Sequence, residues 1–110
     1  MTDTTKPAPI APTWPANAAK LLHFTLGWLG PCKTYTNVIL PRVVAAGLTL
    51  PIEALDVDEN QDIARAHDIR CLPTLIMLDA DDRVIGTLLG MRPEPTLRAW
   101  LAAPTADYPL

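Results

Sequence analysis

Apolar positions along the chain gather into short runs separated by polar stretches and prolines, and their spacing predicts most of the secondary structure. Residues 20–26 hold Leu21, Leu22, Phe24 and Leu26 in a run too short for a helix, which reads as a buried strand. Gly27 and the pair Gly30-Pro31 then break the chain. Over residues 33–46, Tyr35, Val38, Ile39 and Val43 recur at mixed helical spacing, and Gly47 supplies a C-terminal stop. Pro41 falls inside that helix, where its missing N–H and its clash with the preceding turn predict a kink or an early end. Pro51 introduces a second strand over 52–57. Asp58 and Gln61 have the spacing of a capping box for a short helix reaching His67, with Ile63 and Ala64 expected to face inward. Residues 74–78 and 84–89 read as a hairpin about Ala80-Asp81-Asp82. Pro95 suits the first turn of a last helix, whose Leu97, Trp100 and Leu101 form one apolar stripe.

The resulting order is β-α-β-α-β-β-α. Two parallel strands joined by a crossover helix, followed by an antiparallel hairpin and a covering helix, imply an α/β fold with a mixed central sheet and helices on both faces. The 110 residues suit one domain. Residues 1–16 contain Pro7, Pro9, Pro12 and Pro15 and read as an extended N-terminal tail, in which Trp14 is the group able to fold back onto the body. The body is expected over 17–103, with a second short tail over 104–110.

Composition then narrows the function classes. Apolar residues make up 49% of the chain, enough for a true core. The net charge is −3 with no run of Lys or Arg, so nothing is present to neutralise a phosphate backbone, and a nucleic-acid partner is not expected. No apolar run approaches the roughly 20 residues that span a bilayer. Met1-Thr2-Asp3 leads into prolines rather than into a basic patch and an apolar stretch, which predicts a cytoplasmic chain without a secretory signal. Cys32 and Cys71 lie too far apart for zinc-ligand spacing, and His23 and His67 do not complete a set, so neither metal nor cofactor is expected. Two unpaired thiols on a monomer are the plain reading.

Two segments carry a family resemblance. Trp28-Leu29-Gly30-Pro31-Cys32-Lys33 resembles the thioredoxin-family active-site loop Trp-Cys-Gly-Pro-Cys-Lys, with Leu29 where the family has its first cysteine. Asp68-Ile69-Arg70-Cys71-Leu72-Pro73-Thr74 resembles the family segment Gly-Ile-Arg-Gly-Ile-Pro-Thr, whose proline is cis. Asp56-Val57-Asp58 and Gly90 fall at matching distances. The resemblance covers roughly residues 20–103 and implies a thioredoxin-like three-layer sandwich with the N-terminal strand and helix reduced or absent.

For function, the departures outweigh the matches. In the family the first loop cysteine attacks a substrate disulfide and the second resolves the mixed disulfide. Leu29 cannot form a thiolate, so a dithiol cycle within this loop is chemically impossible. Cys32 is then either a lone nucleophile near a helix start or a buried, inert thiol. Cys71 is an exposed thiol, a site of intermolecular pairing that would link a dimer on oxidation, or a new partner for Cys32. His23 stands where the family carries a buried aspartate; it either acts as a base toward Cys32 or is an ordinary half-buried strand histidine. Ala54 replaces a family lysine, and His67 reads as solvated surface. Trp28, Gly30, Pro31, Leu72 and Pro73 correspond to the family surface that receives a protein or peptide partner, although Trp28 could be plain packing and Pro73 a plain turn. These features point to an atypical thiol–disulfide oxidoreductase working through Cys32, alone or with Cys71. The alternative is a redox-inactive protein-binding module or accessory subunit. Both require the Pro73 turn to lie beside the start of the helix that carries Cys32.

Overall fold

The computed structural model describes residues 11–105. Four strands form one sheet in the order β2-β1-β3-β4, with β1 at Ala18–Thr25, β2 at Ile52–Asp56, β3 at Thr74–Asp79 and β4 at Val84–Leu89. β1 pairs parallel with β2, Leu21 opposite Ile52 and Thr25 opposite Asp56. It pairs antiparallel with β3, His23 opposite Leu75 and Phe24 opposite Thr74, and β3 pairs antiparallel with β4. The α/β fold with a mixed sheet is the expected one. Among the described residues no strand precedes Ala18, so β2 forms one edge of the sheet.

Alternation along β1 divides the core between two faces. Leu21 joins Tyr35, Val43, Leu75, Met77, Leu88, Leu97, Trp100 and Leu101 under the long helix and the last helix. Leu22 and Phe24 join Leu55, Ile76 and Leu78 beneath the short helix α3, at Gln61–Ala66. Trp14 packs against the first of these clusters, so the tail does fold back as far as the described residues reach. The rest of that tail, residues 1–10, lies outside them.

The long helix differs instructively from its expectation. It begins at Gly30 and runs to Ala45 as α1 (Gly30–Thr34), a π-helical turn (Tyr35–Ile39) and α2 (Leu40–Ala45). Pro41 therefore neither ends the helix nor breaks it. Its missing N–H cannot serve the carbonyl four residues back, and the turn just before it widens so that Leu40 N–H bonds to Tyr35 C=O, five residues back. Gly47, at φ 124°, closes the helix as expected. Gly47 N–H donates to Val44 C=O at 3.0 Å and Leu48 N–H to Val43 C=O at 3.3 Å, the paired bonds of a Schellman stop.

The short helix corrects three expectations. Asp58 does not cap it: Asn60 is the N-cap, with no side-chain bond to the helix. Asp56 takes over the turn instead, its carboxylate accepting Asp58 N–H at 2.8 Å and its carbonyl accepting Asn60 Nδ2 at 2.9 Å. Ala64 packs inward as expected, but Ile63 is exposed. The helix has only six residues, and its inward stripe is taken by Ala64 and by Ile69 beyond its end. His67 is not solvated surface: its ring lies 5.8 Å from that of Phe24. The last helix, α4 at Glu94–Ala102, carries Pro95 in its first turn and buries Leu97, Trp100 and Leu101.

Candidate functional site

The pairing register brings four chain segments to one end of the sheet. Thr25 at the end of β1 pairs with Asp56 at the end of β2, and Phe24 pairs with Thr74 at the start of β3. Thr74 in turn pairs with Leu89 at the end of β4. The loop Gly27–Leu29, the turn ending in Pro73 and the segment Gly90–Met91 therefore leave the sheet together. The Leu72-Pro73 peptide bond is cis, and Pro73 C=O accepts Gly90 N–H at 2.8 Å, which ties the turn to the β4 exit. The Pro73 turn thus sits at the sheet end where the Cys32 helix begins.

Trp28 is 68% exposed and Met91 is 42% exposed, large apolar side chains presented to solvent at this end. Leu29 and Leu72 are half-buried, Gly30 and Pro31 are exposed, and the Pro73 ring is buried. Met91 was not picked out by sequence reasoning, and its signal was its place after Gly90, a glycine at φ 77° that turns the chain across the sheet end.

Leu29 is the N-cap of α1, at φ −85° and ψ 127°, with Pro31 in the first turn. Lys33 N–H returns to Leu29 C=O at 3.0 Å. The position that would present an attacking thiol to solvent thus presents an isobutyl group. Cys32 lies one turn in, only 1% exposed, and is a free thiol. It forms part of the wall of a crevice of about 240 Å³ shared with Thr25, Gly27, Lys33, Asn37 and Asp56.

Cys71 is also free, and half-buried. Thr74 Oγ1 donates its hydroxyl proton to Cys71 C=O at 2.7 Å. In the 3.7 Å contact between Cys71 Sγ and Thr74 Oγ1 the thiol is therefore the donor. Cys71 lines a separate cavity of about 370 Å³ with His67, Arg70, Thr74, Thr87 and Leu89. Thr74 and Leu89 share the sheet face of Phe24, whereas Thr25 and Asp56 share the face of His23. The two thiols open toward opposite faces of the sheet, an arrangement that gives a Cys32–Cys71 bridge no support.

His23 is 1% exposed and its Nε2 has no hydrogen-bond partner, so that nitrogen makes no bond to Cys32. Its ring meets Tyr35 edge-on, centroids 5.5 Å apart. Burial without a charged partner pushes the imidazole pKa down to about 4, so the ring is neutral near pH 7. The Tyr35 hydroxyl is buried on the same side without a partner, and that burial, only partly opposed by the nearby Arg92 charge, raises its pKa. Ala54, directly across the β1–β2 ladder from His23, adds no charge. Among the described residues no group of three or more His, Cys, Asp or Glu side chains is arranged to hold a metal ion.

Comparison with known proteins agrees with this geometry. The family model described as Thioredoxin matches residues 13–103. A thioredoxin of Bacillus subtilis (strain 168) is 36% identical over 78 residues, covering 71% of this chain and 74% of that one. A thioredoxin of Pyropia yezoensis is 31% identical over 85 residues, covering 77% and 78%. The solved structure of a single-site mutant of thioredoxin from Halobacterium salinarum NRC-1 superposes with a TM-score of 0.64 at 29% identity, covering 84% of this chain and 79% of that one.

Proposed function

The chain belongs to the thioredoxin family, and from that premise we propose that it docks an extended segment of a partner protein at Trp28, the Leu72-Pro73 turn and Met91 while running no dithiol cycle of its own. The observation that carries this reading is Leu29 as helix N-cap with Cys32 only 1% exposed beneath it. A dithiol cycle needs an exposed attacking thiolate and a second thiol within reach. Here the first is replaced by a hydrocarbon, which leaves Cys32 without a partner thiol in its loop.

The docking elements are intact by contrast. The cis Leu72-Pro73 bond is held through Pro73 C=O and Gly90 N–H, and the backbone beside Cys71 is held by Thr74. That leaves the Leu72 N–H and C=O for strand-like pairing with an extended peptide. Trp28 and Met91 flank the turn with exposed apolar area, and Leu29 adds to it. Two unpaired cysteines suit a reducing cytoplasm, where we place the protein. Among the described residues no helix is long and apolar enough to cross a membrane.

One observation favours a second reading, thiol–disulfide exchange through Cys32 alone: its crevice reaches the thiol beside Lys33. In that chemistry the Cys32 thiolate attacks one sulfur of a partner disulfide, forming a mixed disulfide and releasing the other sulfur as a thiolate. An external thiol must then displace the partner, because Leu29 offers no resolving group. Insulin disulfide reduction driven by dithiothreitol separates the readings. All three of wild type, Cys32→Ser and Cys71→Ser are expected to match the reagent-only rate. Wild-type turnover abolished by Cys32→Ser would establish the second reading instead.

A further inference from the structure

The two edges of the sheet are treated differently. At the β4 edge the chain that follows α4 returns, and Thr87 N–H donates to Thr105 C=O at 2.8 Å. Gly86 accommodates that return: a Cβ there would come within 2.6 Å of Pro104 Cβ and 2.8 Å of Thr105 O. That edge is closed by its own chain, as isolated strand edges in natural sheets usually are.

The β2 edge has no such cover among the described residues. Leu21 N–H donates to Pro51 C=O at 2.8 Å and Val57 N–H to Thr25 C=O at 3.0 Å. Alternation therefore turns the backbone groups of residues 53 and 55 toward β1 and those of Ile52, Ala54 and Asp56 outward. The Asp56 carbonyl is taken by Asn60 and Glu59. Both polar groups of Ile52, both of Ala54 and the Asp56 N–H remain as a row without a neighbouring strand among the described residues. β2 holds no proline, no lysine and no bulge; what guards its edge is its length of five residues and the carboxylates of Glu53 and Asp56. At its centre the small, exposed Ala54 leaves the backbone open to approach.

The charge around this edge selects its occupant. Between Arg42 and Arg65 the chain has no Lys or Arg, while Glu53, Asp56, Asp58, Glu59 and Asp62 all fall there. Among the described residues this group is paired with Lys20, in a long contact of 3.5 Å with Glu53, and with Arg65, 3.7 Å from Asp62. A second copy of β2 paired antiparallel about Ala54 would set Glu53 diagonally against its own copy, and like charges across a strand pair oppose it. We propose that the outer edge of β2 is a second docking site, which takes an extended Lys- or Arg-bearing segment of a partner protein as an added strand. The site is independent of the Trp28 face.

The test uses the full chain labelled with 15N and two acetylated heptapeptides, one alternating Lys with Val and one alternating Glu with Val. With the Lys peptide, amide exchange at Ile52 and Ala54 is expected to slow by about tenfold or more, and the Glu peptide should leave it unchanged. Ala54→Pro removes an outward donor without touching the β1 ladder and should abolish the effect. Should that variant fold poorly, the double change Glu53→Lys and Asp58→Lys should weaken binding about tenfold, and binding of the wild type should weaken as salt rises. Trp28→Ala should leave this binding intact, which separates its failure from failure of the Trp28 face. Equal protection by both peptides would overturn the proposal, as would shifts confined to Trp28. So would Ile52 and Ala54 amides already protected in the dilute, peptide-free chain, which would mean that the protein's own residues or a second copy fill the edge.

Discussion

Acidification is expected to weaken the fold through one buried ring. His23 is enclosed on all sides, with no partner for Nε2 and the Tyr35 ring against its edge. The folded chain holds its pKa at about 4, against an ordinary value of 6.5 in the unfolded chain. Between those values the unfolded state binds a proton that the folded state refuses, so stability falls as the pH is lowered through that window and levels off below about 4. Weighing the two protonation equilibria at pH 7 and pH 5 gives a loss of about 2 kcal/mol, and the full shift is worth roughly 3 kcal/mol. Most carboxylates remain ionised above pH 5, so the window isolates the imidazole. The assay is urea denaturation across this pH range for the wild type and for His23→Leu, an apolar side chain that needs no hydrogen-bond partner at the same site. The difference in stability between the two should change by about 2 kcal/mol in favour of the variant as the pH falls from 7 to 5. A difference that stays constant with pH, or a His23 ring titrating near 6.5 by NMR, would refute the reasoning.

Three further outcomes are expected. Iodoacetamide should label Cys71 in the native protein and reach Cys32 only on unfolding, as peptide mapping would show; equal labelling rates would mean that the Cys32 crevice is open to reagent. Gly86→Ala should push Pro104 and Thr105 off the β4 edge, costing about 1–3 kcal/mol in a denaturation curve and speeding Thr87 amide exchange, and an unchanged midpoint would contradict the close approach. Leu29→Cys should allow a disulfide between the introduced thiol and Cys32 under mild oxidation, read as the loss of two hydrogens in the intact mass. Two free thiols under those conditions would show that the helix start no longer has the geometry for a bridge.

Much of the fold was legible because its cues are local. Gly47 announced its helix stop, Leu97, Trp100 and Leu101 their inward stripe, and Asp81 and Asp82 their hairpin. What escaped depends on neighbours distant in sequence. The π-helical turn before Pro41 lets the helix continue because Val43 and Leu40 are anchored in the core on the proline's far side and in the turn leading to it. Asp56 displaced Asp58 from its capping role only because β2 delivers its carboxylate to the turn. At the site, the loop and the cis proline were readable by resemblance, and so was the loss of the attacking cysteine at Leu29. The burial of Cys32 was one of the two readings the resemblance left open, and it is the one the structure takes. The turning of Cys71 toward Thr74 and the exposure of Met91 were not legible, since each is set by which sheet face or sheet end the chain meets. That no strand lies beside β2 among the described residues cannot be read from Ile52-Glu53-Ala54-Leu55-Asp56 itself; only the resemblance, with its N-terminal strand reduced or absent, pointed to it.

Docking without chemistry can be tested with a partner that cannot react. A cysteine-free extended peptide titrated into 15N-labelled protein should shift the Trp28 indole, Leu72 and Met91 resonances, equally in wild type and Cys32→Ser, and Trp28→Ala should weaken it. Binding that vanishes in Cys32→Ser, or a peptide that leaves those three residues undisturbed, would contradict a docking face that has outlived its dithiol.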